Sequence, residues 1–204
     1  MNTEVSIFIV DDDDSVRHSL RWLLESVKLR VETFSSAESF LQSVDTDHAG
    51  CLILDVRMPG MNGLELQQAL IASTSTLPII ILTGHGDVPM AVRAMSEGAF
   101  DFVQKPFNGP QLLDRVEAAI ARSEQLLQEK NTRNGLQACY AMLTPRERQV
   151  MNMIASGKAN KVIAIEMGIG QRTVEVHRHR VMEKMKAHSV AELIHFYLQL
   201  QKKI

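Results

Sequence analysis

Short β-branched or aliphatic runs alternate with stretches of helical spacing through the first half of the chain. The runs are residues 6–10 (SIFIV), 30–34 (RVETF), 51–55 (CLILD), 78–83 (PIIILT) and 101–105 (DFVQK). Val16, Leu20, Leu23, Leu24 and Val27 fall at i, i+4, i+7, i+8 and i+11, and Val88, Ala91, Val92 and Met95 at i, i+3, i+4 and i+7. Both are helical spacings. A strand–helix unit repeated five times predicts a doubly wound parallel sheet with helices on both faces. The unbroken runs CLIL and PIIIL suit central strands buried on both sides.

The pattern changes after residue 108. Leu113, Val116, Ile120 and Leu127 are spaced along one long helix that opens at Gly109 and Pro110, grows polar, and passes through NTRNG (131–135), a candidate linker. From Leu143 no strand pattern appears, and four helices are predicted. Thr144, Pro145 and Glu147 supply a capping box with proline at the first helical position. The first helix runs to about Ala155 and ends at Gly157, and the second spans Asn160 to Met167 and ends at Gly168. The third begins near Gln171 and runs to about Met185, and Ser189 caps the fourth. A short helix, a glycine-containing turn and a basic helix make a helix-turn-helix. The expected architecture is thus an α/β domain with five parallel strands over 1–122, a helical linker over 123–140, and a small all-α four-helix domain over 141–204.

Charge sharpens this division. Residues 1–137 carry 11 Lys and Arg against 19 Asp and Glu, a balance of −8, whereas residues 138–204 carry 11 against 5, a balance of +6. Only the second part suits a polyanionic partner. The first apolar run is five residues long, has no basic stretch before it, and stops at four aspartates, which excludes a signal peptide or membrane span there. Cys51 and Cys139 can form neither a disulfide framework nor a zinc site and are expected as packing residues. A cytoplasmic protein without a membrane partner is the expectation.

In open α/β sheets, sites form beyond the carboxyl ends of the strands. Asp11 and Asp12 follow the first strand, Asp55 ends the third, Thr83 the fourth and Lys105 the fifth. Clustered carboxylates repel, and an all-oxygen set favours a hard cation such as Mg²⁺. Taken alone, DDDD is equally a solvated acidic loop. An EF-hand is excluded, because Val16 stands where its glycine must be and Trp22 where its last glutamate must be.

IVDDDDSVR, LILDVRMPGMNGLEL, ILTGHGD and DFVQKPF, in that order and spacing, resemble the receiver domain of two-component response regulators. The resemblance covers about residues 5–122. It implies Asp55 as phosphoacceptor for a sensor histidine kinase, with Mg²⁺ held by Asp12, Asp55 and the backbone carbonyl of Arg57, and Asp11 helping through water. It makes Lys105 and Thr83 the groups that hold the phosphoryl oxygens, with Gly84 leaving room for entry, and Phe102 the switch aromatic. It also implies a cis bond before Pro106. Taken alone Thr83 reads as an ordinary strand residue, a reading that gives way in company with the other strand ends, and Phe102 has the alternative of an ordinary core residue. Arg57 and His85 occupy the positions that tune dephosphorylation; neither suits the orientation of a hydrolytic water, so slow loss of the phosphoryl group is expected.

LTPRERQV, the NK-x-IA unit and RTVEVHRHRVMEKM resemble the four-helix DNA-binding domain of the LuxR/NarL type, most closely its FixJ subgroup, over residues 143 to about 197. Helical angles give a separate reading. At about 100° per residue, Val174, His177, Val181 and Met185 share an inward face, with Arg178 near its edge. Arg172, Glu175, Val176, His179 and Glu183 point away. Glu175 suits cytosine N4, Val176 a thymine methyl, and Arg172 or His179 guanine or phosphate. Lys161, Thr173, Arg180 and Lys184 suit phosphates. Each exposed charge has the alternative of a solvated helix face, and His177 and His179, two apart, make no metal pair.

A receiver joined to a helix-turn-helix implies a switch. Phosphorylation is expected to build a homodimer face and free the third helix for a double-stranded DNA operator. Activation of transcription with RNA polymerase is what the resemblance implies. The chain is read as no enzyme beyond its own phosphorylation at Asp55. One alternative is a constitutive DNA-binding protein with a degenerate receiver, against which the complete set Asp12, Asp55, Thr83 and Lys105 argues. Another is an Mg²⁺-dependent phosphohydrolase, which needs a second acid or base beside Asp55 that the adjoining motif lacks.

Overall fold

The computed structural model describes residues 5–44, 49–73, 75–84 and 88–201. The chain forms two units, Met1–Gln128 and Glu129–Ile204.

In the first unit β1 (Ser6–Val10), β2 (Arg30–Phe34), β3 (Gly50–Leu54), β4 (Ile79–Thr83) and β5 (Asp101–Gln104) pair in the order β2-β1-β3-β4-β5, every pairing parallel. Around them stand α1 (Asp14–Ser26), α2 (Ala37–Ser43), α3 (Gly63–Ala72), α4 (Val88–Ser96) and the first part of α5 (Gly109–Ala141). β1, β3 and β4 are buried along their whole length, which is why they read as unbroken apolar runs. The two-residue period of a strand sorts their side chains. Phe8, Leu52 and Ile81 pack with Phe40 of α2, Leu66 of α3 and Ala94 of α4. Ile7, Ile53 and Ile80 pack with Leu20 and Leu24 of α1 and with Leu112 and Val116 of α5. Each fully buried Ile or Leu contributes about 1.5–3 kcal/mol. The chain leaves β1 for β2 on one side and returns to β3 on the other. Asp11 and Asp55 therefore follow neighbouring strands at the point where the winding reverses.

α4 departs from the simplest reading of its pattern. The stripe that announces it is turned outward: Val88 is 77% exposed, Val92 61% and Met95 44%. Ala94 is its buried residue, and Met90 packs partly against the same cluster. At about 100° per residue Ala94 falls well round the helix from the stripe.

α5 runs without a break through residues 131–135, so the candidate linker is helical. Its lone glycine there, Gly135, costs about 1 kcal/mol against alanine, which a helix of 33 residues absorbs. The second unit contains α6 (Pro145–Ala155), α7 (Asn160–Met167), α8 (Gln171–Lys184) and α9 (Val190–Gln201). Val150, Ile154, Ile163, Val174, Val181 and Leu193 form its core together with Leu136 of α5. The predicted ends are there. The Thr144 side chain accepts from the Glu147 amide while the Glu147 carboxylate accepts from the Thr144 amide. Ser189 Oγ accepts from the Glu192 amide at 3.1 Å. Gly168 closes α7 at φ 65°, a left-handed conformation that only glycine takes without cost. No helix among the described residues is long and apolar enough to cross a membrane.

Candidate functional site

The carboxyl edge of the sheet gathers four of the expected side chains. Asp11 directly follows β1 and is 2% exposed, and Asp55 directly follows β3 and is 6% exposed. Backbone pairing carries the sheet one step beyond β3, since the Asp55 amide donates to the Val10 carbonyl at 2.8 Å. Lys105, just past β5, is held to β4 by its amide on the Thr83 carbonyl at 2.9 Å. Its Nζ donates to Asp11 Oδ2 at 2.6 Å and to Asp55 Oδ1 at 2.9 Å. Thr83 is buried at the end of β4, and the bond from Lys105 to Pro106 is cis. Gly63 opens α3 directly beneath this edge, where a Cβ would stand 2.2 Å from the Asp55 carbonyl oxygen. Only glycine permits that approach.

Burial pushes the Asp11 carboxyl above its usual range. The hydrogen bonds from Lys105 and from the Asp13 amide, with the charge of Lys105, oppose this, and the charge of Asp55 adds to it. At Lys105 burial acts downward, but the hydrogen bonds and charges of Asp11 and Asp55 outweigh it and hold the ammonium above its ordinary value. The pair thus suits Lys105 better than Asp11, because two buried carboxylates share one positive charge.

That imbalance bears on Mg²⁺. The donor set is all oxygen and keeps net negative charge after Lys105 is counted, which fits a hard cation. Asp12 is exposed, and among the described residues no three His, Cys, Asp or Glu side chains stand together as a metal group. Asp11 and Asp55 are thus brought together, and Asp12 does not close a trio with them. Asp55 Oδ2 also accepts from the Arg57 amide at 2.6 Å. Gly84 is exposed with nothing within 4 Å of where a Cβ would stand, and Phe102 packs half-buried against the core that holds Ala94. His85 lies outside the described residues.

Three further side chains support this edge. Arg17, with a side chain only 14% exposed, donates to the Asp11 carbonyl at 2.7 Å and to Asp14 Oδ1 at 2.6 Å, fixing the acidic loop. Asp13 caps α1 through the Ser15 amide and hydroxyl, bonds that hold its carboxyl below the usual range. Glu38 of α2 accepts from the Met61 amide at 2.8 Å, which lowers its own carboxyl pKa and pins the loop after Asp55. A cap signal lay in the Asp13–Ser15 spacing. Nothing in the sequence marks Arg17 or Glu38.

In the second unit α8 presents Arg172, Thr173, Glu175, Val176, His179 and Arg180 to solvent, and Lys161 is exposed on α7. Val174, Val181 and Met185 are buried, while His177 and Arg178 are half-buried. Lys184, expected at a phosphate, is engaged within the unit. Its Nζ donates to Glu147 Oε2 at 2.7 Å and to the Met142 carbonyl at 3.2 Å. Glu147 is 2% exposed. Burial alone would raise its carboxyl, but the bonds from Lys184 and Thr144 outweigh that and hold it below the usual range.

Known proteins share both units. Residues 7–117 match the response regulator receiver domain, and residues 141–197 match the bacterial regulatory proteins of the luxR family. Nodulation protein W of Bradyrhizobium diazoefficiens is 46% identical over 193 residues, 95% of this chain and 85% of that protein. The transcriptional regulatory protein FixJ of the same organism is 44% identical over 95% of both chains. The solved response regulator StyR superposes with a TM-score of 0.85 at 44% identity, over 96% of this chain and 99% of that one.

Proposed function

Because the chain belongs to the two-component response regulators that join a receiver domain to a LuxR-type DNA-binding domain, we propose that Asp55 accepts a phosphoryl group from the phosphohistidine of a sensor kinase. A carboxylate oxygen of Asp55 attacks phosphorus, the P–N bond to the donor imidazole breaks, and the imidazole leaves with a proton. One observation carries this reading: Lys105 Nζ bridges Asp11 and Asp55 at the carboxyl edge of a parallel sheet. The same ammonium is in reach of the oxygens that a phosphoryl on Asp55 would bring. Asp11, Asp12, Asp55 and the Arg57 carbonyl are the groups that would hold Mg²⁺, which when bound neutralises charge on the phosphoryl oxygens. Asp11 and Arg17 keep the loop in place, Glu38 steadies the far side, and the Thr83 hydroxyl receives a phosphoryl oxygen. Phe102 then moves into the space that Thr83 leaves.

The added group brings about −1.5 to −2 charges to the edge of the sheet. We take the outward stripe of α4, Val88, Val92 and Met95, as the homodimer face that this event completes. Dimerisation places two copies of α8 on paired half-sites of a double-stranded DNA operator. Arg172, Glu175, Val176 and His179 read bases there, and Lys161, Thr173 and Arg180 position the helix on phosphates. Lys184 is left out, since its ammonium is engaged by Glu147. Activation through RNA polymerase in the cytoplasm completes the reading, and Asp55 phosphorylation is its one covalent step.

Intact mass after incubation with acetyl phosphate and Mg²⁺ tests it. One phosphoryl group is expected on the native chain and none on Asp55→Asn. An equal adduct on the variant, or none on either, defeats the assignment.

A further inference from the structure

Away from Asp55, at the amino-terminal ends of β4 and β5, the first unit holds a cavity of about 350 Å³. Leu70 at the end of α3, Leu77 and Phe100 before the two strands, and Leu126 of α5 give it apolar walls. Its polar lining is of one kind. Thr76, Ser75 and Arg122 can all donate hydrogen bonds, and no carboxylate is among the described residues that line the space. Thr76 is 7% exposed, and its hydroxyl has no hydrogen-bond partner. Such a group is unfavourable in a protein interior unless something accepts from it. Ser75 Oγ already accepts from the Leu77 amide at 3.2 Å, so what it has left to offer is its proton. Arg122 Nη1 donates to Gln125 Oε1 at 3.1 Å, and the guanidinium has further donors to give.

Apolar walls with hydroxyl and guanidinium donors, and no carboxylate among the described lining residues, complement an apolar body bearing an anionic head. The volume sits at the small end of ligand pockets. We infer that this cavity binds a small organic carboxylate of about ten heavy atoms, its body against Leu70, Leu77, Phe100 and Leu126 and its carboxylate received by Thr76 and Arg122. The site is separate from the phosphorylation edge and needs nothing from it. An occupant also touches the turn, Gly98 to Phe100, that leads into the strand carrying Phe102 and ending before Lys105.

Titration of the full chain with benzoate and with 4-methylpentanoate, followed by amide chemical shifts, tests this. Acetate serves as the head alone and toluene as the body alone. Shifts are expected to cluster on residues 75–79 and 98–100 with either carboxylate, and to be much smaller with acetate or toluene at equal concentration. Thr76→Val and Arg122→Gln should each weaken binding by about tenfold. Thr76→Val removes only an unpartnered hydroxyl, so the unliganded variant should melt no lower than the native chain. Lower melting would make the hydroxyl structural and overturn its role as a receiver. Equal affinity in both variants, shifts no larger than those from acetate, or no shifts from either probe would overturn the site.

Discussion

Asp11 and Asp55 lean on one ammonium, and the worth of that arrangement can be measured directly. Lys105→Met keeps most of the apolar stem of the side chain and removes its charge. Breaking a buried pair costs about 3–5 kcal/mol, and with Lys105 one-fifth exposed a loss of about 2 kcal/mol is the discounted expectation. Urea denaturation at neutral pH without divalent ions reads it, and Mg²⁺ should restore more stability to the variant than to the native chain. Unchanged stability would mean that Lys105 does not hold these carboxylates. Asp55, Asp11 and Lys105 were legible in the sequence because a parallel sheet sends its strand ends to one edge, so chain position becomes spatial position. Arg17, Glu38 and the true partner of Lys184 were not. Each depends on which backbone group or carboxylate another element brings within about 3 Å, and no spacing rule carries that.

Among the elements, α6 and α8 are joined by a bond with a definite pH dependence. The Glu147 carboxyl lies below its ordinary range in the folded chain. Its stabilisation is therefore complete above the ordinary carboxylate value and is lost as pH falls through the lower folded value. Glu147→Gln should cost about 1–3 kcal/mol at pH 7, and its denaturation midpoint should converge on that of the native chain as pH falls from the ordinary carboxylate range to below it. A gap constant across that range would remove the ionised carboxylate from the account. The same pair separates two kinds of lysine and arginine. Lys184→Ala should lower the melting temperature and leave the salt dependence of DNA binding unchanged, whereas Arg180→Ala should reduce that slope by about 1 with little effect on melting. α4 marks where the reading of elements stops: periodicity announces a helix, but with apolar residues on two sides it cannot say which side meets the sheet.

For the whole molecule, the two units carry opposite charge, with 9 Lys and Arg against 18 Asp and Glu over residues 1–128 and 13 against 6 over residues 129–204. Assembly is where the outward face of α4 matters. Val92→Asp places a charge in the middle of the exposed stripe without touching the core. Sedimentation of the beryllofluoride-treated protein should show the native chain as a dimer and the variant shifted toward monomer by tenfold or more in dissociation constant, about 1.4 kcal/mol. Dimerisation unaffected by the substitution would move the interface elsewhere.

Cys51 is the second residue of β3, the middle strand of the sheet, fully buried, and burial pushes its thiol up to about 12. The thiolate is the reactive form, so in the folded receiver this cysteine is nearly silent toward alkylating and oxidising reagents. It becomes reactive only when the middle strand opens. Cys139, in the other unit and partly exposed, offers a second and faster clock in the same chain. Pulse labelling with a thiol reagent should mark Cys139 early and Cys51 at the rate of global opening of the sheet, without any introduced probe. Mg²⁺ or a phosphoryl mimic that tightens the edge at Asp55, one residue beyond the end of that strand, should slow the labelling of Cys51 and leave that of Cys139 alone.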